Sequence, residues 1–545
     1  MATYYVRADG TAVNKEAATS DSAASTSMAL TTACGESYSP DDVVVISDEG
    51  GVYRSMLWAM SSGTAGHPVV VRANSGGSPV LKASDLVPGW TVHSGSVYQA
   101  ALTTEPQQIW VDGTYGDRKT STEACVNEYD WYWVSNVLYI YAPGDPDTEY
   151  TDPGVEAGVR SYCVNFEGTS YVSVDGLRVM HGNLRSFRCW NSSHITVDNC
   201  IVEWSWLDGF NCNSNAAGGH EGFTIRDSIF RYNGVQGIAV TMSSTNSTMT
   251  DITIQRNKCY ENGKHQGEVA YDHSWVGGIK IWTDPDTGEA ENVLVEQNEC
   301  YDNGGNGAYS GVGIWFDYVE NDGTNPNIVR HNVCYDNGID GIFLEIASGV
   351  HIYGNLLYNN GTTGGTGIYS PAGIRIDARP GATHDSSHDN LVYNNTCVGA
   401  ANGIHIGVTD VGGSARVDDN IVKNNIFVGC SAAAMDMYSG GDNDSTNGSG
   451  NVYENNCCGA ESTGFISWSW TGYNTYDAWL AVSSQTDNNI ESDPSFTDAE
   501  NDDYSLASDS PCIGAGANLG SPYNDALMPS STWPDGVVTG NQDSY

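Results

Sequence analysis

The sequence predicts an all-β solenoid, and three observations carry that prediction. One motif with strand periodicity recurs along the middle of the chain. The repeat shows no helical periodicity. A second set of short apolar strands recurs with it, each opened by the same Gly-Ile step: "GGIKIW", "GVGIWFD", "DGIFLEI", "AGIRID" and "NGIHIG", near residues 277, 311, 340, 372 and 402.

The recurring motif is seen in "TVDNCIV", "TIRDSIF", "TIQRNKCY", "LVEQNECY", "IVRHNVCY", "HIYGNLLY", "LVYNNTCV" and "IVKNNIFV". These align on Asn199, Asp227, Asn257, Asn298, Asn332, Asn355, Asn395 and Asn425, in steps of 23 to 41 residues. Variable steps over a constant motif mean that loops of different length leave a constant coil. Asn suits such a position because its amide can bond both its own turn and the Asn of the next coil. Two residues further on stand Ile201, Ile229, Cys259, Cys300, Cys334, Leu357, Cys397 and Phe427. Cysteines that alternate with Ile, Leu and Phe in one column behave as small core hydrophobes. Cys259, Cys300, Cys334 and Cys397 are therefore read as buried reduced thiols and not as a disulfide framework.

From about residue 160 to 460 these features resemble the right-handed parallel β-helix proteins. On that resemblance residues 1–90 are the N-terminal coils and cap, since "DDVVVISDEGGVYRSMLWAMSSGTAGHPVVVRA" looks like first coils. Residues 91–157 are a small inserted β subdomain, because "QQIWVDGTYGDR" and "YDWYWVSNVLYIYAPGDPDTEY" break the ladder with aromatic alternating strands. Residues 158–460 are the main helix, and 461–545 a C-terminal cap, which covers an open terminal coil that would otherwise offer an unpaired edge.

Composition excludes several partners. With 22 Lys and Arg against 67 Asp and Glu, the formal charge is −45, which repels nucleic acid and anionic lipid surfaces. There is no apolar run of about 18 residues, so no membrane span is expected. "MATYYVRADG" enters a strand-like segment directly, without the basic and apolar regions of an export signal. The expected location is nevertheless secreted or extracellular, and the expected state a monomer.

Side chains alternate along a strand, so within Gly-Ile-x-apolar-x the Ile and the second apolar residue face one side. Ile279 and Ile281, Ile314 and Phe316, Ile342 and Leu344, Ile374 and Ile376, and Ile404 and Ile406 then fill the core. The opposite face carries Lys280 and Trp282, Trp315 and Asp317, Phe343 and Glu345, Arg375 and Asp377, then His405 and Gly407. One column thus stacks Asp317, Glu345 and Asp377 on successive coils about 4.8 Å apart, where like charges repel unless a substrate, cation or proton intervenes. Exposed Trp beside clustered charge is unusual on an idle surface. Indole faces beside carboxylates suit sugar rings, and a poly- or oligosaccharide is the expected substrate. Carboxyls on adjacent coils approach the separation of about 5 to 5.5 Å of a retaining glycosidase.

"GGIKIW", "GVGIWFDY" and "GIFLEIASG" resemble the active-site strands of β-helical retaining glycoside hydrolases of the β-xylosidase kind. The resemblance implies that Asp317 is the nucleophile and Glu345 the acid/base. Asp377 would help to raise the pKa of Glu345, and Lys280 would be the counter-ion of Asp317. Lys280, Trp282, Trp315, Tyr318, Phe343, Arg375 and His405 complete the substrate site. The pattern departs from the family in "EIASGVH", which lacks the Asn-His-Gly after the Glu, and in the absence of a sizeable sandwich domain.

Two other readings stay open. In a polysaccharide lyase or uronan epimerase, Lys280 would abstract the C5 proton and Arg375 would neutralise the uronate carboxylate. A non-catalytic sugar-binding tail-fibre or adhesin module would keep the aromatics and leave the carboxylates idle. No cofactor is required by the hydrolase reading, although Ca²⁺ is compatible with so acidic a chain. "TDPDTGEAE" sets Asp284, Asp286 and Glu289 near the cleft and reads as a turn. "ATHDSSHDN" offers His384, Asp385, His388 and Asp389 and reads as a polar loop, with no metal assigned. "GKHQGEVAYDHSWVGG" would bring Tyr271, His273 and Trp275 over the Lys280 coil.

Overall fold

The computed structural model describes residues 1–523 apart from 59–60, 216–219, 244–246, 265–274, 306–309, 322, 362–370, 381–383, 409–413, 438–447, 484 and 486–487. Tyr271 and His273 lie outside the described residues. Among those described, no helix is long and apolar enough to cross a membrane. The chain divides into two compact units. One is Met1–Cys212 with Ile229–Ile238 and Asn262–His273, the other Asn213–Ser228 with Ala239–Glu261 and Ser274–Tyr545.

In the first unit, parallel strands Thr3–Val6, Val43–Ile46, Val69–Ala73, Ser170–Asp175 and Ser193–Asp198 stack in that order. Val80–Lys82, Arg178–Met180, Ile201–Glu203 and Ile229–Arg231 form a second parallel stack. The chain leaves this coil at Ser84–Leu86 and returns at Val155–Gly158, two strands that pair antiparallel. Between them, Thr91–Ser94, Val97–Ala101, Val137–Tyr141, Asp130–Val134 and Asp117–Arg118 form one sheet. Trp131, Leu138 and Ile140 lie in its separate apolar core with Ile109 and Trp90.

Among the described residues of the second unit, three long parallel stacks run, beside a short parallel pair of Ser387–His388 with Val417–Asp418. Thr248–Gln255, Glu289–Glu296, Asn327–Arg330, Val350–Tyr353, Leu391–Tyr393, Ile421–Lys423 and Val452–Glu454 make the first. Lys258–Tyr260, Glu299–Tyr301, Val333–Tyr335, Leu356–Tyr358, Thr396–Val398 and Ile426–Val428 make the second. The third, which carries the candidate site, runs Gly277–Trp282, Val312–Val319, Ile342–Ala347, Ala372–Ala378, Asn402–Val408, Ala433–Met437.

At the corner between the first two stacks, Asn257, Asn298, Asn332, Asn355, Asn395, Asn425 and Asn456 form a continuous ladder. From Asn298 onward, each Oδ1 accepts from the backbone N–H of the preceding Asn, at 2.9–3.0 Å. It also accepts from that residue's Nδ2, at 2.8–3.0 Å. The amide thus satisfies groups that would be orphaned at a buried turn. The residue before it takes a positive φ, as at Arg256, Gln297 and His331 (53–55°), which makes the bend abrupt.

The alignment of the earlier coils needs a correction. Ser228, not Asp227, donates its N–H to Asn257 Oδ1, at 3.1 Å, while Asp227 has φ 52° and pairs with Arg256 at 2.6 Å. The register is one residue off there because Asn199 and Asp227 occupy the left-handed turn position that Arg256 fills in the next coil (φ 49°, 52° and 53°), and an Asn or Asp at that position mimics the ladder residue in sequence. From Asn257 onward the register is as expected: Cys259, Cys300, Cys334, Leu357, Cys397 and Phe427 pair in sequence, and those four thiols are free and fully buried.

The strands of the third stack from Gly277–Trp282 to Asn402–Val408 open on glycine for a steric reason. A Cβ on Gly278, Gly313 or Gly341 would stand 2.5–2.7 Å from the carbonyl oxygen of Gly313, Gly341 or Gly373 on the next coil. No side chain fits at that distance, so the coil can turn into the site strand only through Gly.

Candidate active site

The core-facing residues of these strands, from Ile279 and Ile281 to Ile404 and Ile406, are all fully buried. The other face presents two columns. One pairs Trp282, Asp317, Glu345, Asp377 and Gly407, the other Lys280, Trp315, Phe343, Arg375 and His405. Asp436 continues the second column beyond His405.

Asp317 receives Lys280 Nζ at 2.8 Å on Oδ2. Its Oδ1 is buried and has no hydrogen-bond partner. Glu345, in register beside it, receives Arg379 Nη2 at 2.9 Å on Oε1, and its Oε2 is likewise buried and unpartnered. Burial pushes the Glu345 carboxyl up to about 8; the charges of Asp317 and Asp377 add to this, and Arg379 and Lys280 oppose it. A buried acceptor with nothing to accept is a group waiting for a proton or a ligand.

Tyr318 and Ile346, the residues immediately after Asp317 and Glu345, have φ 55° and 54°. For a β-branched residue such as Ile346 this backbone is rare, and it turns the chain out of the sheet directly after the carboxylate. The Arg379 guanidinium lies 5.8 Å from the Tyr318 ring centroid and 5.5 Å from that of Trp275.

Beyond Glu345 the column is neutralised differently. Asp377 Oδ1 accepts the backbone N–H of Ala378 at 2.9 Å, and burial raises its pKa against the opposing charges of His405 and Arg375. Arg375 Nε donates to Asp340 Oδ2 at 2.9 Å, and Asp340 Oδ1 also accepts the Ala372 N–H at 2.7 Å. His405 Nδ1 bonds Asp436 Oδ2 at 2.8 Å. Burial disfavours the Asp436 carboxylate, but the hydrogen bond and charge of His405 outweigh it and lower its pKa.

One expectation is overturned. Trp315 is 0% exposed and Phe343 2%, as deeply buried as Asp317 (3%) and Glu345 (2%) beside them, and what closes their faces to a sugar is that other side chains already occupy them. Their rings stack on each other at 5.2 Å, and Lys280 Nζ caps the indole at 3.6 Å. The stack serves instead to hold the ammonium against Asp317, because a cation over a buried indole is fixed by the ring's quadrupole. Trp275, 38% exposed and 5.8 Å from Trp315, is the indole with accessible surface, and Trp282 is partly exposed in register with Asp317. Arg375 is 1% exposed, its guanidinium committed to Asp340.

Arg379, Asp340 and Asp436 escaped the sequence reading. Arg379 follows the strand end and Asp340 precedes Gly341, so neither falls on the alternating positions. Asp436, in "AAMDM", lies on a strand without the Gly-Ile opening, and its register position was the only signal.

Asp284 Oδ1 accepts the N–H of Asp286 and of Thr287, which makes that segment a turn. His384 and His388 approach Glu320 at 3.4 and 3.6 Å. Among the described residues no group of three His, Cys, Asp or Glu side chains converges as a metal-ligand set.

Residues 162–381 match the family described as the right handed beta helix region. The fold is a right-handed parallel β-helix. XylC, solved in complex with xylose, shares this β-helix with a TM-score of 0.54 at 15% identity, over 78% of this chain and 75% of that one. A glycoside hydrolase aligns with a TM-score of 0.46 at 11% identity, over 84% and 96% of the two chains. Pectate lyase Pel9A aligns with a TM-score of 0.41 at 13% identity, over 97% and 95%. No curated protein matches the sequence.

Proposed function

We propose that the protein is a retaining glycoside hydrolase acting on a poly- or oligosaccharide, with Asp317 as nucleophile and Glu345 as acid/base. The observation that carries this reading is the in-register pair itself: two buried carboxyls on adjacent strands, each with one unpartnered oxygen, one ion-paired by Lys280 and the other raised to about 8. Strands about 4.8 Å apart bring such groups near the separation of a retaining pair.

Glu345, protonated at neutral pH, donates to the departing glycosidic oxygen while Asp317 Oδ1 attacks the anomeric carbon. Loss of that proton leaves Glu345 to deprotonate the water that releases the sugar. Trp275 and Trp282 supply apolar surface for the ring, and Tyr318 and Arg379 line the acid/base side. The mechanism uses no cofactor. The substrate implies a secreted or extracellular protein.

Elimination chemistry is less well supported by the same side chains. Lys280 is bound to Asp317 and packed on Trp315, and the Arg375 Nε is bound to Asp340 in a side chain that is 1% exposed. The test is a pair of variants assayed on neutral and uronate polysaccharides. Asp317→Asn should lower turnover by about four orders of magnitude or more while the protein stays folded. An Asp317→Asn enzyme with near-normal activity, together with an inactive Lys280→Ala enzyme that in wild-type form yields an unsaturated product, would replace hydrolysis by elimination.

A further inference from the structure

Cys457 lies on the last coils of the second unit. Its N–H donates to Asn425 at 2.8 Å, and it makes parallel bridges to Ile426 and Ile490. Its side chain is all but sealed, at 1% exposure, and its Sγ contacts Ser492 O at 3.2 Å. Cys512 arrives from the C-terminal segment. Its N–H donates to Ser510 Oγ at 3.2 Å, and Ser510 Oγ in turn donates to Pro494 O. This brings the two thiols within hydrogen-bonding reach of each other across 55 residues of sequence, 512 − 457.

The segment around Cys512 lies back along the coils. Tyr504 packs with Val333 and Leu356, Ala517 exchanges two 2.8 Å hydrogen bonds with the Asn424 side chain, and the Tyr523 hydroxyl meets His351 Nδ1 at 2.9 Å. These contacts lie along the sides of the coils.

Other cysteines touch as well. Cys259, Cys300 and Cys334 neighbour one another in the core, but all are 0% exposed, beyond the reach of a dissolved oxidant. Cys512 differs in being partly exposed, and it is the more acidic partner, its thiolate favoured first by the Cys457 hydrogen bond although burial opposes it.

We propose that Cys457 and Cys512 form a redox-controlled disulfide that staples the C-terminal segment to the end of the β-helix. The oxidant is a low-molecular-weight disulfide. The Cys512 thiolate attacks one of its sulfurs, forming a mixed disulfide and expelling one thiolate. Cys457, losing its proton to water, then attacks Cys512 Sγ, forming the Cys457–Cys512 bond and expelling the second thiolate. Two protein thiols and one small disulfide thus become one protein disulfide and two small thiols. A closed loop of this length restricts the unfolded chain strongly, which is how such a bond stabilises.

The experiment incubates the folded chain with oxidised glutathione, blocks remaining thiols and maps peptides without reduction. The expected product has lost two alkylatable thiols, carries a Cys457–Cys512 linked peptide, and shows a raised Tm and slower protease release of the tail, all reversed by dithiothreitol. Cys512→Ser should fold, keep the activity and lose the oxidation-dependent shift. Full alkylation of Cys512 after oxidation, or its linkage to Cys430 or Cys458 instead, would overturn the proposal. So would a Cys512→Ser chain that still gains stability on oxidation.

Discussion

Two columns of the second unit stack one kind of polar side chain on successive coils, and they meet opposite fates. In the ladder from Asn257 to Asn456, each buried amide accepts from the preceding residue and donates in turn, so the stack is self-satisfying. In the column of Asp317, Glu345 and Asp377, every side chain is an acceptor when ionised, and none can serve its neighbour. The carboxylates are served from the side, by Lys280, Arg379 and the Ala378 N–H, and by retention of a proton on Glu345. Identical spacing therefore yields a structural element with one residue type and a reactive one with another.

The largest effect that would break this contrast is in the ladder. Asn332→Ala leaves the Asn298 side-chain amide and backbone N–H without their acceptor, and takes from Asn355 Oδ1 its side-chain donor while the backbone N–H of residue 332 remains. It should destabilise the fold by about 3 kcal/mol, read by chemical unfolding, while the folded fraction keeps its turnover per molecule.

The carboxylate column should answer in the opposite direction. Glu345 titrates at about 8 in the folded chain against the ordinary 4.5. Between those values the folded state holds a proton that the unfolded chain has released, so stability falls as pH rises through that window. Glu345→Gln cannot ionise, and its advantage over the wild type should grow from pH 5 to 8, reaching about 1–3 kcal/mol. Equal pH dependence of the two proteins would show that Glu345 is not raised.

A smaller effect sharpens the role of Arg379. It is one of the charges that lower the Glu345 pKa, and it is partly exposed, so solvent screens it. Arg379→Ala should move the alkaline limb of kcat/KM upward by about one unit or less. A downward shift would contradict its placement beside the acid/base.

Much of this was legible in sequence because a solenoid writes its three-dimensional neighbours as a one-dimensional repeat. Once Gly341 and Ile342 are aligned with Gly313 and Ile314, the pairing of Glu345 with Asp317 follows without coordinates. Alternation cannot report what lies over a column, so Trp315 and Phe343 were expected open and are closed. Nor can it reach the turns, where Asp340 and Arg379 sit off the repeat and complete the charge balance. The secondary ladders Asn303–Asn337–Asn360 and Asn390–Asn420–Asn451 were missed despite a signal: an Asn follows Asn298, Asn332 and Asn355 by five residues, and another precedes Asn395, Asn425 and Asn456 by five.

The most direct test of the central claim, that Asp317 and Glu345 are a retaining pair, is azide rescue of Glu345→Ala with a substrate whose leaving group needs no proton. Azide should enter the space left by the carboxylate, restore turnover, and yield a glycosyl azide of the same anomeric configuration as the substrate. No rescue, or an azide product of inverted configuration, would contradict the assignment.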